Sequence, residues 1–158
     1  MTKTLLLVTA GTSAIRYYDS SAILPIYLDE AFSVAAQRAL KRDFGQIVTS
    51  ELTIIELRSA LARLERSKKL TSFQVTTVFK TIEQVLIGTR QLGLSAEIIK
   101  ETLELLSRTD LPIRALDAIH LASCLHYGTN GFVTGDKQQA RLANKLGLST
   151  QWLGGKLD

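Results

Sequence analysis

The chain has 158 residues, 46% of them hydrophobic and 22% charged, with a formal net charge of +4. That length suits one domain that buries its own core, and the composition excludes a disordered chain. One cysteine, Cys124, excludes an intrachain disulfide and a cysteine-based zinc site, and no apolar run is long enough to span a membrane. A cytoplasmic, reducing setting without a membrane partner is therefore expected.

In chain order, the first feature is Lys3 followed by Leu5, Leu6, Leu7 and Val8. It resembles a weak export signal, but its apolar centre is very short. Residues 1–14 are read as an N-terminal extension, a strand or a loose segment, and residues 15–158 as the domain. Residues 15–18 are strand formers that end at Asp19. Ser20 or Ser21 is expected to cap a helix over 22–28, followed by a helix over 31–42 that Gly45 stops. A second strand is expected over 46–49. Ser50 then caps a helix over 51–66, where Ile54, Leu57, Leu61 and Leu64 form a core-facing stripe with Glu56 beside it. Helices follow over 72–88 and over 96–107, the latter capped by Ser95.

The centre of the chain is LPIRALDAIHLASC, residues 111–124. From Leu116 to Leu125 only Asp117, His120 and Ser123 are polar, as in a core helix. Gly128 suits a left-handed end to that helix. A strand over 131–134 leads through Gly135 to Asp136, which opens a helix ended by Gly147, and a last strand covers 150–153. Strands alternating with helices imply a mainly parallel sheet covered on both faces.

Sites in such sheets lie outside the carboxyl ends of the strands. Asp19 and Asp136 stand at strand ends, and Glu56 and Asp117 stand in helices of the same rim. Four converging carboxylates repel one another, and a divalent cation resolves this. An all-oxygen site suits Mg2+ or Mn2+, which would assist attack of water on a phosphate ester. Each residue also has a plainer reading. Asp19 and Asp136 can be helix caps, Glu56 a solvated charge, and Asp117 a partner of Arg114. Thr134 can support the carboxylates or simply fill a strand; Ser20 can do the same or cap a helix. Arg114 can contact phosphate or neutralise Asp117. His120 reads as structural, because a lone histidine has no base–nucleophile partner in the sequence. Without the four candidate acids the chain keeps 11 of its 15 acidic residues against 19 basic ones, a balance that suits a polyanion.

The stretches YYDSSAIL, TSELTIIELRSAL, IRALDAIHLA and FVTGDKQQARLANKLGL resemble, in order, the motifs of PIN domains, above all VapC-type toxins of toxin–antitoxin pairs. The resemblance runs from about residue 15 to 153. It implies a three-layer α/β/α sandwich and a Mg2+- or Mn2+-dependent endoribonuclease. It also implies a cognate antitoxin partner, an RNA substrate and a homodimer. Carried over by position, the family's acids fall on Asp19, Glu56, Asp117 and Asp136, and a supporting position falls on Thr134. The two tyrosines before Asp19 and the LPIR entry to the Asp117 motif depart from the pattern without removing an acid.

Three other phosphate chemistries fit poorly. A haloacid-dehalogenase-like phosphatase would need an Asp at Ser21, a dinucleotide-binding domain a glycine-rich first turn, and a receiver an Asp at the end of the second strand. The remaining alternative is a catalytically silent PIN-fold module that binds RNA or protein.

Overall fold

The computed structural model describes residues 15–129 and 131–157, so the expectations for residues 1–14 lie outside the described residues. In chain order the elements are β1 (Arg16–Tyr18), α1 (Ser20–Tyr27), α2 (Ser33–Arg42), β2 (Ile47–Ser50), α3 (Leu52–Arg66) and α4 (Ser72–Ile87). Then follow β3 (Arg90–Leu92), α5 (Ala96–Leu106), α6 (Ala115–Tyr127), β4 (Gly131–Thr134), α7 (Lys137–Lys145) and β5 (Ser149–Trp152). The sheet has the order β3-β2-β1-β4-β5, and every pairing is parallel.

Alternation along each strand divides the core in two. Tyr18, Ile47 and Val133 face one side, where they pack with Ala22 of α1, Ala36 of α2, Leu57 and Leu61 of α3 and Ile82 of α4. Their neighbours Tyr17, Val48 and Phe132 face the other side and pack with Ile98 of α5, Leu121 of α6 and Leu142 of α7. The result is the expected α/β/α sandwich. No described helix is long and apolar enough to cross a membrane.

Four local expectations change. Ser50 is not the N-cap of α3: that position is Glu51, without a side-chain cap bond, although the Ser50 hydroxyl accepts the Leu52 amide at 3.1 Å from the end of β2. Asp19, not a serine, caps α1, its Oδ1 accepting the Ala22 amide at 3.0 Å. The helix therefore starts at Ser20. The second helix begins at Ser33, because the Ser33 hydroxyl accepts from the Glu30 amide and donates to the Leu28 carbonyl, which shapes a turn. β3 was not expected at all. It is three residues long and largely exposed, and it exists through pairing with β2. Arg90 also lies 4.6 Å above the Tyr127 ring, tying β3 to α6.

Other signals hold as read. Ser95 caps α5, accepting from the Ile98 amide at 3.2 Å. Ser95→Ala should lower stability by about 1 kcal/mol in urea unfolding without altering the site. Gly128 ends α6 with φ of 71°, a left-handed geometry in which its amide bonds back to the helix. Cys124 is buried in α6.

The parallel order also sets one rim. The chain leaves β1, β2 and β4 at the same edge, through Asp19, the start of α3 and Asp136. The helix α6 leads back to the opposite edge to start β4, so its own first turn, with Asp117, lies at that rim.

Candidate active site

A cavity of about 660 Å³ opens at this rim, and Asp19, Glu56, Asp117 and Asp136 all line it. Residues separated by up to 117 positions in sequence therefore share one space. Ser20, Arg63 and Arg114 line it as well.

Asp19 is the most deeply set, at 2% exposure. Besides the Ala22 amide, its Oδ1 accepts the Ser21 hydroxyl at 2.7 Å, and its Oδ2 accepts the Thr134 hydroxyl at 2.6 Å. Burial pushes its carboxyl up to about 6, although nearby His120 and these donors pull the other way. The same hydroxyls hold the β4–α7 turn. Thr134 accepts from the Asp136 amide at 3.0 Å, and Ser21 from the Gly135 amide at 2.8 Å. Thr134 thus supports a carboxylate. Of the two serines, it is Ser21 rather than Ser20 that bonds Asp19.

Asp136 is both a cap and a cavity residue. Its Oδ1 accepts the Gln139 amide at 2.9 Å at the start of α7, and its exposed carboxylate faces shared solvent. Asp117 lies in the first turn of α6, half-buried. Its carboxyl is raised by burial first and by the charge of Asp136 second, with Glu56 adding to the same push; His120 and Arg114 oppose it. Among the described residues no ion pair joins Arg114 to Asp117, so the neutralising reading of Arg114 reduces to attraction through space.

Glu56 is not a free solvated charge. Its Oε2 meets His120 Nε2 at 2.5 Å, and His120 Nδ1 meets the Tyr17 hydroxyl at 2.7 Å. The histidine expected to be structural is indeed buried, but it is joined to a candidate site acid. Sequence reading also passed over Tyr17, Ser21, Arg63 and Gln139. The Gln139 side chain lines the cavity, is buried, and has no hydrogen-bond partner on Nε2. Of these, only Ser21 carries a signal in the sequence, a hydroxyl two residues after a strand-end aspartate.

The donor set fits a hard divalent cation in kind: four carboxylates in one cavity, Asp19 raised by burial and Asp117 by burial together with the charges of Asp136 and Glu56. Among the described residues, however, no three His, Cys, Asp or Glu side chains stand close enough together to share an ion. Holding one therefore requires side-chain rotations that draw the carboxylates inward.

The family model for the PIN domain matches residues 16–145, which takes in all four acids. The chain belongs to the PIN-domain family. Among curated relatives, this PIN-domain chain is 32% identical over 117 residues to Ribonuclease VapC45 of Mycobacterium tuberculosis, covering 74% of this chain and 79% of the relative. Among solved structures, VapC20 of Mycobacterium tuberculosis, described as a sarcin-ricin-loop-cleaving toxin, aligns with a TM-score of 0.65 at 15% identity. That alignment covers 80% of this chain and 94% of VapC20. A toxin–antitoxin complex from Klebsiella pneumoniae aligns with a TM-score of 0.60 at 15% identity, over 78% of this chain and 88% of that one. At such identities the two structures speak for the PIN fold alone.

Proposed function

We propose that this PIN-domain protein is a divalent-metal-dependent endoribonuclease and the toxin of a toxin–antitoxin pair, acting in the cytoplasm. The observation that carries the reading is the single cavity lined by Asp19, Glu56, Asp117 and Asp136. The ribonuclease name of the 32%-identical relative supports the same activity.

Asp19, Glu56 and Asp117, with help from Asp136, hold Mg2+ or Mn2+. When bound, the ion supplies a polarised phosphoryl oxygen and a more acidic water. The rest falls to the chain. Thr134 and Ser21 keep the Asp19 carboxylate aimed into the cavity. Arg114 and Arg63, at the cavity wall, meet RNA phosphates with planar, charge-assisted donors. A cognate antitoxin blocks the site, and a homodimer covers exposed apolar helix residues such as Ile99 and Leu103.

The silent-module reading draws on the lack of a preassembled ligand trio among the described residues. One experiment separates the two. Purified, antitoxin-free chain is incubated with a mixed RNA pool and Mg2+ or Mn2+, then with EDTA added. Cleavage that appears with the ion and disappears with EDTA is expected. Neither cleavage nor Mn2+ binding from folded chain would favour the silent module.

A further inference from the structure

Glu56 has a long side chain with three freely rotating bonds, and it stands 20% exposed at the cavity. Left alone, such a carboxylate samples many rotamers, and ordering it costs entropy. Here it is tethered at one oxygen. His120, whose side chain is only 2% exposed, reaches it from α6 through Nε2. The other ring nitrogen meets the hydroxyl of Tyr17, which is fully buried on β1. The Tyr17 ring stacks on Phe132 of β4 at 5.7 Å between centroids, and packs edge-on to the His120 ring at 5.8 Å. A continuous rack therefore runs from the middle of the sheet to a single oxygen of Glu56, and none of the described hydrogen bonds reaches its Oε1. His120 stands at the wall of the same cavity with its side chain almost wholly buried, and the site acid it bonds directly is Glu56.

We infer that Tyr17 and His120 are positioning residues that fix the Glu56 carboxylate for the divalent ion, an inference that rests on the metal-dependent reading above. The arrangement follows the general design in which a ligating carboxylate is oriented by a buried hydrogen-bond partner. It parallels the support of Asp19 by Thr134 and Ser21. Asp117 has no such tether among the described hydrogen bonds, so Glu56 and Asp19 form the prepared side of the site, and Asp117 moves to complete it.

The test measures Mn2+ affinity by calorimetry on folded chain without RNA, beside RNA cleavage. Tyr17→Phe removes one oxygen and keeps the ring stack. His120→Leu removes the donor to Glu56, and His120→Gln restores an amide donor. Mn2+ binding should weaken roughly tenfold or more in His120→Leu and less in Tyr17→Phe. In His120→Gln it should return toward the parent value. A role confined to packing would lower the melting temperature while leaving Mn2+ affinity and cleavage at parent values in Tyr17→Phe and His120→Leu, and that outcome overturns the inference. Should His120→Leu fail to fold, Tyr17→Phe decides alone. A parent chain with no Mn2+ affinity overturns the metal reading itself, a failure distinct from equal affinity in parent and variants.

Discussion

Asp19→Asn should abolish metal-dependent RNA cleavage and at the same time make the fold more stable. Asparagine keeps the capping oxygen for the Ala22 amide, since Asn and Asp cap helices about equally well. Its amide group can donate to Thr134, whose hydroxyl has Gln139 Oε1 at 3.4 Å as an alternative acceptor. What is lost is the charge. In the folded chain, burial raises the Asp19 carboxyl from 3.8 to about 6. Below about pH 4 the group is neutral in both folded and unfolded chains, and no cost arises. Between about 4 and 6 the unfolded chain releases the proton more readily, so stability falls as pH rises. Above that window the charged group carries the full desolvation cost, on the order of a few kcal/mol. Urea unfolding should therefore show Asp19→Asn more stable than the parent at pH 8, with the gain vanishing near pH 4. Cleavage with Mn2+ should drop by roughly a hundredfold or more, because a ligand charge is removed. Proton competition predicts one more sign: Mn2+ affinity of the parent should weaken as pH falls through about 6. A variant that keeps parent cleavage would remove Asp19 from the metal site.

The layers and the rim of this fold were legible because they follow from periodicity. Tyr17 and Tyr18 alternate across the sheet, and Leu57 and Leu61 recur at helical spacing, so the two core halves could be anticipated. What escaped was set by contacts between distant segments. Arg90, Gln91 and Leu92 show no strand pattern, being three residues with only Leu92 partly buried; β2 makes them a strand. The first cap went to Asp19 because a carboxylate and two serines compete locally, and the deciding partner, Thr134, lies 115 residues away. For the site, the four acids could be named from position, yet the link from Glu56 through His120 to Tyr17 spans 64 and then 103 residues. A lone histidine in an apolar helix gives no sign of such a pairing. Gln139 is similar: on α7 it reads as a surface glutamine until packing buries it against Thr134.

Gly135→Ala should lower both stability and cleavage, although the same exchange often does the opposite. Elsewhere, Gly→Ala at an unstrained position stabilises by about 0.4–1 kcal/mol, because the unfolded chain loses freedom. At Gly135 a β-carbon would lie 2.7 Å from the carbonyl oxygen of Ser21 and 3.3 Å from its carbon. Both atoms belong to the backbone of α1, so no side-chain rotation relieves the contact. The turn after β4 must move away from the first turn of α1. That movement pulls the Gly135 amide off the Ser21 hydroxyl, which it meets at 2.8 Å. The Ser21 hydroxyl in turn is what donates to Asp19 at 2.7 Å, so the displacement reaches the carboxylate. Asp136 and Thr134 flank the glycine and shift with it. The expected cost is about 1–3 kcal/mol in urea unfolding, typical of overpacking. Because misplacing reacting groups by about an ångström costs roughly a hundredfold in rate, kcat/KM for RNA should fall at least tenfold. The pattern differs from that of Asp19→Asn, which loses activity while gaining stability. Parent stability and parent cleavage in Gly135→Ala would mean that the turn relaxes freely, and that the close approach of β4 to α1 does not hold Asp19 in place.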